Sequence, residues 1–349
     1  MRVLHLLSSS ELSGAERVAI NICTGLRDSV EFVYASPKGS IADELKLNQI
    51  SFHGLERMST GEIAAACRQD RPDIIHAHDY RASVLAAMLR HRPPVISHLH
   101  NNAPANMRFG FKALIYAASV PGFSQIIGVS ESVLNEHIAR RLIKPKFIAL
   151  PNVVDNSAVL KLAAENNVDE CDLLFVGRLC REKNPLAFIK IVQAVKEVRP
   201  EVKAIMVGQG ELVAECRALL QQLALEKTVT LTGFVANPYV YMRQAKVLVM
   251  PSRWEGFGLV ALEAMLLGLP ILCSPVGGLV DLVQDTVNGF WCRGTAEFAT
   301  RATQLLENED LWQVFSSASK LRAVQLSDPK AYMAKILAIY RECAGGKHG

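Results

Sequence analysis

The chain has 349 residues, of which 50% are hydrophobic and 21% are charged, and this composition excludes a disordered or fibrous protein. Its length exceeds what a single hydrophobic core usually fills, so we expect two domains. The formal net charge of +4 is too small to indicate a nucleic-acid partner, and we expect none.

Short apolar runs alternate with amphipathic segments along the first half of the chain. Strands are predicted at residues 3–7, 32–35, 74–77, 95–97, 126–129 and 147–150, and helices at 16–26 and 82–90. Because strands separated by helices pair in parallel, this half is predicted to form a doubly wound α/β sheet.

The same alternation restarts after a segment at 156–172 that is rich in Asn, Asp, Glu and Ala, which we predict to be a linker. Strands follow at 173–176, 204–207, 229–231, 247–250 and 271–273, with helices at 186–198, 211–223 and 259–267. The expected architecture is two Rossmann-like domains, 1–160 and 161–328, facing across a cleft at the carboxyl edges of their sheets. Residues 329–349 are expected to form a helix and tail that dock back on the first domain.

Three loops that follow predicted strands of the second half have the composition of phosphate or nucleotide sites. The loop after residue 176 carries Arg178 and Lys183 before a proline-initiated helix, which suits a diphosphate or an ordinary surface loop equally well. Gly208 and Gly210 form a glycine turn that lacks the third glycine of a dinucleotide fingerprint. Residues 233–235, with Phe234 and Val235, offer either an apolar surface to a base or plain core packing.

The most informative segment is 251–265, where two glutamates flank a glycine turn and a helix. Gly256 and Gly258 allow close approach of the backbone to a ligand, and the following apolar run is helical. Glu255 precedes this helix and Glu263 lies within it, separated by about 12 Å of helical rise. Ordinary helix acids are the alternative, but a carboxylate at Glu263 among apolar neighbours requires a hydrogen-bonding partner.

Taken together, these segments resemble the retaining GT-B glycosyltransferases of family 4, whose E-x7-E motif is similar to 255–263. The likeness covers nearly the whole chain in the expected order: residues 13–16 (SGAE), 75–78 (IHAH), 94–100 (PVISHLH), 129–132 (VSES), 151–155 (PNVVD), and 176–178 (VGR) with Lys183. Four positions depart from the family pattern, namely Ser13 for Gly, His98 for Thr, Val153 for Gly and Asp281 for Glu. Ser13 bears on the tightness of the first-domain phosphate turn.

The resemblance implies a role for each matching residue. Arg178 and Lys183 would bind the diphosphate of a UDP- or GDP-sugar, and Glu263 its ribose. Glu255 would hold sugar hydroxyls, and His100 would be the active-site histidine. The remaining implied positions are the turn and nucleotide contacts Gly14, Gly208, Gly210, Phe234, Val235, Gly256, Phe257, Gly258 and Leu259, and the acceptor contacts Glu16 and His78.

The implied reaction is a retaining, metal-independent transfer of a hexose or N-acetylhexosamine to a glycan acceptor of a lipopolysaccharide, capsule or other surface polysaccharide. No D-x-D triplet occurs in the chain, and no cofactor is expected. Three alternatives stay open: a sugar-nucleotide epimerase, a hydrolase, and a catalytically silent nucleotide-sugar-binding subunit. A Rossmann dehydrogenase is disfavoured because neither glycine turn has the full fingerprint.

The charge is unevenly distributed, with nine Lys or Arg against two acids between residues 81 and 146. This stretch is either a solvated surface or one that contacts anionic lipid or a phosphorylated glycan. No signal-peptide pattern or membrane-spanning run is present, and the cysteines show no C-x-x-C pair. We therefore expect a cytoplasmic protein, peripheral at the inner face of the plasma membrane.

Overall fold

The computed structural model describes residues 1–90, 92–100, 111–165 and 168–345. It divides into two compact units, one formed by residues 1–152 together with the C-terminal helix and the other by residues 153–328. The sequence places the boundary near residue 160, whereas the structure places it after Asn152. Each unit contains one parallel sheet with helices, so the predicted α/β class is confirmed.

The first unit contains a seven-stranded parallel sheet with the order β3-β2-β1-β4-β5-β6-β7. Its strands are Arg2–Leu6 (β1), Glu31–Pro37 (β2), Ser51–Leu55 (β3), Ile74–Ala77 (β4), Val95–Leu99 (β5), Gln125–Gly128 (β6) and Phe147–Ala149 (β7). Its helices are Gly14–Gly25 (α1), Ile41–Leu47 (α2), Thr60–Asp70 (α3), Tyr80–Ala87 (α4), Phe111–Ser119 (α5), Glu131–Asn135 (α6) and Arg140–Ile143 (α7), with single 3-10 turns at Val120–Gly122 and Lys144–Lys146. Because helices cover both faces, the central strands are buried along their whole length.

The second unit contains a six-stranded parallel sheet with the order β10-β9-β8-β11-β12-β13. Its strands are Cys171–Val176 (β8), Ala204–Val207 (β9), Val229–Gly233 (β10), Ala245–Met250 (β11), Ile271–Cys273 (β12) and Gly289–Trp291 (β13). Its helices are Asn156–Ala163 (α8), Pro185–Val198 (α9), Val213–Gln222 (α10), Tyr239–Gln244 (α11), Leu259–Leu266 (α12), Leu279–Leu282 (α13), Thr295–Glu307 (α14) and Glu309–Leu326 (α15).

The predicted linker at 156–172 is wrong in its first half, where the chain forms helix α8. Asp155 caps this helix by accepting hydrogen bonds from the amides of Ser157 and Ala158, at 2.9 and 3.1 Å. The buried residues Val159 and Ala163 give the helix an apolar face that packs within the second unit. A composition rich in small and polar residues concealed this amphipathic pattern.

The last helix, Pro329–Gly345 (α16), belongs to the first unit, to which the sequence also assigns it. Its buried face includes Tyr332, Ile336, Ile339 and Tyr340. The Tyr340 hydroxyl lies 2.7 Å from Nδ1 of His76 on β4. Across the described ranges, no helix combines the length and the apolar character that crossing a bilayer requires.

Candidate functional site

Two loops at the carboxyl edge of the second sheet are joined by hydrogen bonds. Asn184 adopts a left-handed conformation (φ 55°) just before Pro185 starts helix α9, and its side-chain amide donates to the carbonyl of Pro251 at 3.1 Å. The amide of Arg253 donates to the carbonyl of Glu182 at 2.8 Å. These bonds hold the loop after β8 against the loop after β11.

Lys183 and Glu255 form an ion pair where these loops meet. The Lys183 ammonium lies 2.6 Å from each oxygen of the Glu255 carboxylate, and the two side chains are 17% and 8% exposed. The Ser252 hydroxyl also donates to this carboxylate, at 3.3 Å. Burial lowers the pKa of Lys183, but Glu255 and Glu182 outweigh that effect and raise it above its ordinary value. The lysine is therefore a fixed cation.

Arg178, the second predicted cation, pairs with Glu182, which also lies 4.0 Å from the Lys183 ammonium. Its side chain is 64% exposed, and its guanidinium lies 3.4 Å from a Glu182 oxygen. An exposed pair of this kind is weak and is readily exchanged for another anion. Arg178 can therefore turn towards an anionic ligand, whereas the Lys183 ammonium is already held in place by Glu255.

A glycine turn connects Glu255 to helix α12. Gly258 caps the helix at φ 96°, a conformation that L side chains avoid, and a Cβ there would lie 2.7 Å from Leu279. Phe257 is buried, Leu259 is half-buried, and a Cβ on Gly278 would lie 2.6 Å from the Gly256 carbonyl oxygen. The close packing fixes the backbone amides of 256–258 at the positive end of the helix.

Glu263 is buried on the same helix, and the hydroxyl of Tyr239 donates to its carboxylate at 3.0 Å. The expectation that a carboxylate here requires a partner is met by Tyr239. Tyr239 lies 24 residues away in the chain, and no motif in the sequence marks it as the partner of Glu263.

Gly208 and Gly210 pack against the loop that carries Arg178. A Cβ on Gly208 would lie 2.0 Å from the carbonyl oxygen of Gly177, and one on Gly210 would lie 2.5 Å from that of Leu179. Glycine is therefore required here for packing, independently of any ligand. Their roles in binding, and those of Phe234 (63% exposed) and half-buried Val235, stay predictions.

In the first unit, Gly14 is exposed at the start of helix α1, as a turn that contacts phosphate would be. Glu16 is buried and caps the same helix by accepting hydrogen bonds from the amide of Ser13, at 3.1 Å, and from its hydroxyl. Burial raises the pKa of Glu16. The structure thus explains Ser13 and Glu16 by capping, and the acceptor contact of Glu16 stays a prediction.

His78 and His100 belong to a group of five histidines on strands β1, β4 and β5 and at the ends of β4 and β5, of which four are buried and His100 is half-buried. Nδ1 of His78 lies 3.0 Å from Nε2 of His100, and Nε2 of His78 lies 2.7 Å from Nδ1 of His5. Burial lowers the pKa of His100 to about 3, so its ring is neutral. His78 is fully buried, with a histidine at each ring nitrogen, and its predicted acceptor contact stays untested.

Two subsets of this group place one ring nitrogen from each residue within 4.8 Å of the others: His5, His76 and His78, and His78, His98 and His100. Imidazole is a common ligand of zinc, so these two subsets are positions at which a metal ion could be held. The expectation that no metal is required therefore stays a prediction.

The basic stretch of the first unit is only partly available to ligands. Arg81, Arg92 and Lys146 donate to backbone carbonyls of the unit. Lys112, Arg140, Arg141 and Lys144 are exposed, and Arg108 lies outside the described residues. Three apolar side chains of the same stretch are also exposed: Phe111, Leu114 and Leu142.

Comparison with family models assigns the two halves of the chain separately. Residues 12–158 match the model described as Glycosyltransferase Family 4, and residues 161–322 match Glycosyl transferases group 1. Together these models cover most of the chain, including every predicted site residue.

Curated relatives match over part of their length. An uncharacterized glycosyltransferase of Methanocaldococcus jannaschii is 30% identical over 246 residues, 64% of this chain and 62% of the relative. The UDP-Gal:alpha-D-GlcNAc-diphosphoundecaprenol alpha-1,3-galactosyltransferase of Escherichia coli is 28% identical over 245 residues, 64% of this chain and 63% of the relative. The chain thus spans about three fifths of the length of these relatives.

Among solved structures, Anabaena HepE in complex with UDP and glucose superposes with a TM-score of 0.85, at 23% identity, over 97% of this chain and 98% of that chain. At this identity the likeness establishes the fold, which is that of the two-domain GT-B proteins.

Proposed function

Because the chain belongs to the glycosyl transferases of group 1, with an N-terminal half of the Glycosyltransferase Family 4 type, we propose that it transfers a sugar from a nucleotide-sugar to a glycan acceptor. The observation that carries this proposal is the buried Lys183–Glu255 pair, which lies beside the amides of the Gly256–Gly258 turn. A cation and helix-terminal amides suit a diphosphate, and a carboxylate suits sugar hydroxyls. Intact Arg178, Lys183, Glu255 and Glu263 argue against a silent binding subunit.

The proposed reaction breaks the bond between the anomeric carbon and the β-phosphate oxygen and forms one between that carbon and an acceptor oxygen. Negative charge develops on the leaving phosphate as the sugar becomes cation-like, and Lys183, Arg178 and the helix amides stabilise that charge. The acceptor proton passes to the leaving phosphate on the face where the new bond forms. The anomeric configuration is then retained, without a covalent enzyme intermediate, and neutral His100 assists at the sugar.

The substrate class we propose is a UDP- or GDP-linked hexose or N-acetylhexosamine with a lipid-linked glycan acceptor, in the synthesis of lipopolysaccharide, capsule or another surface polysaccharide. The name of the Escherichia coli relative gives UDP-Gal as its donor and a diphosphoundecaprenol-linked sugar as its acceptor. Support for UDP also comes from the Anabaena protein, whose structure holds UDP and glucose.

The full-length protein is expected to release nucleoside diphosphate from one nucleotide-sugar in an acceptor-dependent manner, and to do so in excess EDTA. A thermal-shift screen across UDP- and GDP-sugars selects the donor, because a ligand that binds the folded state raises apparent stability. Transfer is then measured with diphosphoundecaprenol-linked acceptors, and NMR of the product gives the anomeric configuration.

Three results would contradict parts of this proposal. Equal nucleoside-diphosphate release with and without acceptor would indicate a hydrolase, and an epimerised nucleotide-sugar would indicate an epimerase. Complete loss of transfer in EDTA would exclude the metal-independent route.

We also propose that the first unit contacts the anionic inner face of the plasma membrane. Phe111 and Leu114 are 80% and 57% exposed, and their spacing of three residues places them on one face of helix α5. Lys112 adjoins them, and Arg140 and Arg141 are exposed on helix α7. Apolar side chains that insert, flanked by cations worth about 1 kcal/mol each at an anionic surface, suit peripheral binding.

In flotation assays, the protein is expected to bind vesicles containing phosphatidylglycerol and not pure phosphatidylcholine. Phe111→Ser/Leu114→Ser is expected to weaken binding at least about tenfold, since each side chain contributes about 1.5–3 kcal/mol when it leaves water. Leu321→Ser is the matched control, because Leu321 is similarly exposed (63%) on the second unit. Equal binding by the double variant would exclude this surface.

A further inference from the structure

Five histidines of the first unit, four of them buried and His100 half-buried, form two hydrogen-bonded chains that start at one hydroxyl. In the first chain, the Tyr340 hydroxyl lies 3.3 Å from Nε2 of His5, whose Nδ1 bonds His78, which in turn bonds His100. In the second chain, the same hydroxyl lies 2.7 Å from Nδ1 of His76, and Nε2 of His76 lies 3.2 Å from Nδ1 of His98. Tyr340 therefore joins both chains.

Each chain has a direction because every ring in it is neutral. Burial lowers the pKa of His5 and His100 to about 3 and lowers those of the other three well below the ordinary value. A neutral imidazole carries one N–H donor and one acceptor nitrogen. Once the donor and the acceptor of the first bond in a chain are fixed, the roles of both nitrogens of each later ring follow, because a ring that accepts through one nitrogen must donate through the other.

The single proton of the Tyr340 hydroxyl couples the two chains. If the hydroxyl donates to His76, it accepts from His5, and all five rings then carry hydrogen on Nε2. If it donates to His5, it accepts from His76, and all five carry hydrogen on Nδ1. The group thus has two self-consistent states in which every ring has the same tautomer.

The distances select between these states. An O–H donor lies closer to its acceptor than an N–H donor does, typically about 2.7–2.8 Å against about 2.9–3.0 Å. The hydroxyl makes its shorter contact, 2.7 Å, with His76, and we take this contact as the bond that it donates; the 3.3 Å contact with His5 is then the N–H···O bond. This choice corresponds to the state with hydrogen on Nε2 of every ring.

The two chains end at nitrogens that the rest of the described chain leaves unpaired, namely Nε2 of His98 and Nδ1 of His100, both buried. The selected state gives His98 a free N–H donor and His100 a free acceptor, on stacked rings whose centroids are 4.1 Å apart. A sugar hydroxyl both donates and accepts, so it matches this pair.

We propose that Tyr340, on the C-terminal helix, is a positioning residue that sets the tautomer of His100 through His5 and His78, so that Nδ1 of His100 accepts and Nε2 of His98 donates a hydrogen bond to a sugar hydroxyl. The tautomer assignment stands on the contacts and on the neutral state of the rings, whereas the sugar contact rests on the proposed function. Nothing in the sequence order of these residues indicates this coupling, since Tyr340 follows His5 by 335 residues.

The test is the tautomer of each ring in protein labelled with ¹⁵N-histidine, read from two-bond ¹H–¹⁵N correlation spectra and assigned with single His→Asn variants. The wild-type protein is expected to show Nε2–H in all five residues. Tyr340→Phe leaves the His5 N–H without an acceptor, so an Nδ1–H population is expected in His5, His78 and His100 and not in His76 and His98. Tyr332→Phe is the matched control, because its buried hydroxyl on the same helix has no partner among the described residues.

Mixed tautomers in the wild-type protein, an unchanged spectrum in Tyr340→Phe, or stoichiometric zinc retained by the purified protein would each overturn the assignment. Transfer assays provide the second readout: Tyr340→Phe is expected to lower kcat about tenfold, the value of one hydrogen bond. A single cooperative unfolding transition, at a midpoint lowered by the unpaired N–H of His5, is the check on folding. Equal kcat in both Tyr→Phe variants would overturn the sugar contact. Absence of transfer in the wild-type protein would refute the proposed function and leave the NMR result standing.

Discussion

Lys183→Met is expected to lower the rate of sugar transfer by at least about 10²–10³-fold, the usual effect of removing one fixed group that stabilises developing negative charge. Lys183 is held 2.6 Å from both oxygens of Glu255 and keeps its charge over the whole physiological pH range, because its pKa is raised. Arg178 cannot compensate for the loss of Lys183, because the Arg178 side chain is exposed and is not held beside Glu255. The measurement is kcat/KM with the nucleotide-sugar that the screen selects.

The same substitution is expected to destabilise the fold, which the experiment must separate from catalysis. Removing one partner of a buried ion pair leaves the other charge uncompensated, at a cost of about 3–5 kcal/mol. In Lys183→Met/Glu255→Gln no buried charge is left unpaired, so the free energy of unfolding should recover while transfer stays absent. Recovery of both would show that the pair is structural only.

Lys246→Met is the matched control for Lys183→Met. Lys246 pairs with Asp172 at 3.0 Å in the same unit, but its side chain is 49% exposed. Because exposed pairs contribute at most about 1 kcal/mol, this variant should keep near wild-type stability and full transfer activity. Wild-type turnover in Lys183→Met would remove the lysine from the mechanism.

The strands at the sheet centres were predictable because burial on both faces leaves an unbroken apolar run, as in Ile74–Ala77 and Ala204–Val207. Two edge strands escaped prediction for physical reasons. Ser51–Leu55 carries a serine, a histidine and a glycine, since an edge strand is covered less completely, and Gly289–Trp291 has only three residues. Neither produces a periodic signal long enough to recognise.

The candidate site was predictable where its residues follow strands, and not where partners come from distant segments. Lys183 and Glu255 each lie in a loop after a central strand, and parallel strands bring such loops to one edge. Tyr239 and Tyr340 contribute single hydroxyls from helices whose docking depends on tertiary packing. The role of His5 was not predictable, because a single histidine in an apolar strand does not indicate its partners until its neighbours on β4 are known.

Glu263→Gln is expected to weaken binding of the free nucleoside diphosphate by about 10–100-fold, because a hydrogen bond to a charged acceptor contributes about 1.5–3 kcal/mol. In the wild-type protein the Tyr239 hydroxyl lies 3.0 Å from the Glu263 carboxylate. Glutamine keeps an oxygen that can accept this bond, so the fold should persist. Glu255→Gln removes the carboxylate that pairs with Lys183 and no ribose contact, so it should not weaken this affinity and should lower transfer instead. Isothermal titration calorimetry with the nucleoside diphosphate measures the first effect.

A nucleoside diphosphate that lacks both ribose hydroxyls tests whether Glu263 acts on the ribose. The wild-type protein should bind it about as weakly as Glu263→Gln binds the normal ligand, and Glu263→Gln should lose little more affinity when the hydroxyls are removed. The two losses are then non-additive, which is the signature of a direct contact. In Glu255→Gln the loss of the ribose hydroxyls should add in full, since that carboxylate is assigned to the sugar. Additive losses for Glu263 would mean that its carboxylate serves Tyr239 and the helix rather than the ligand.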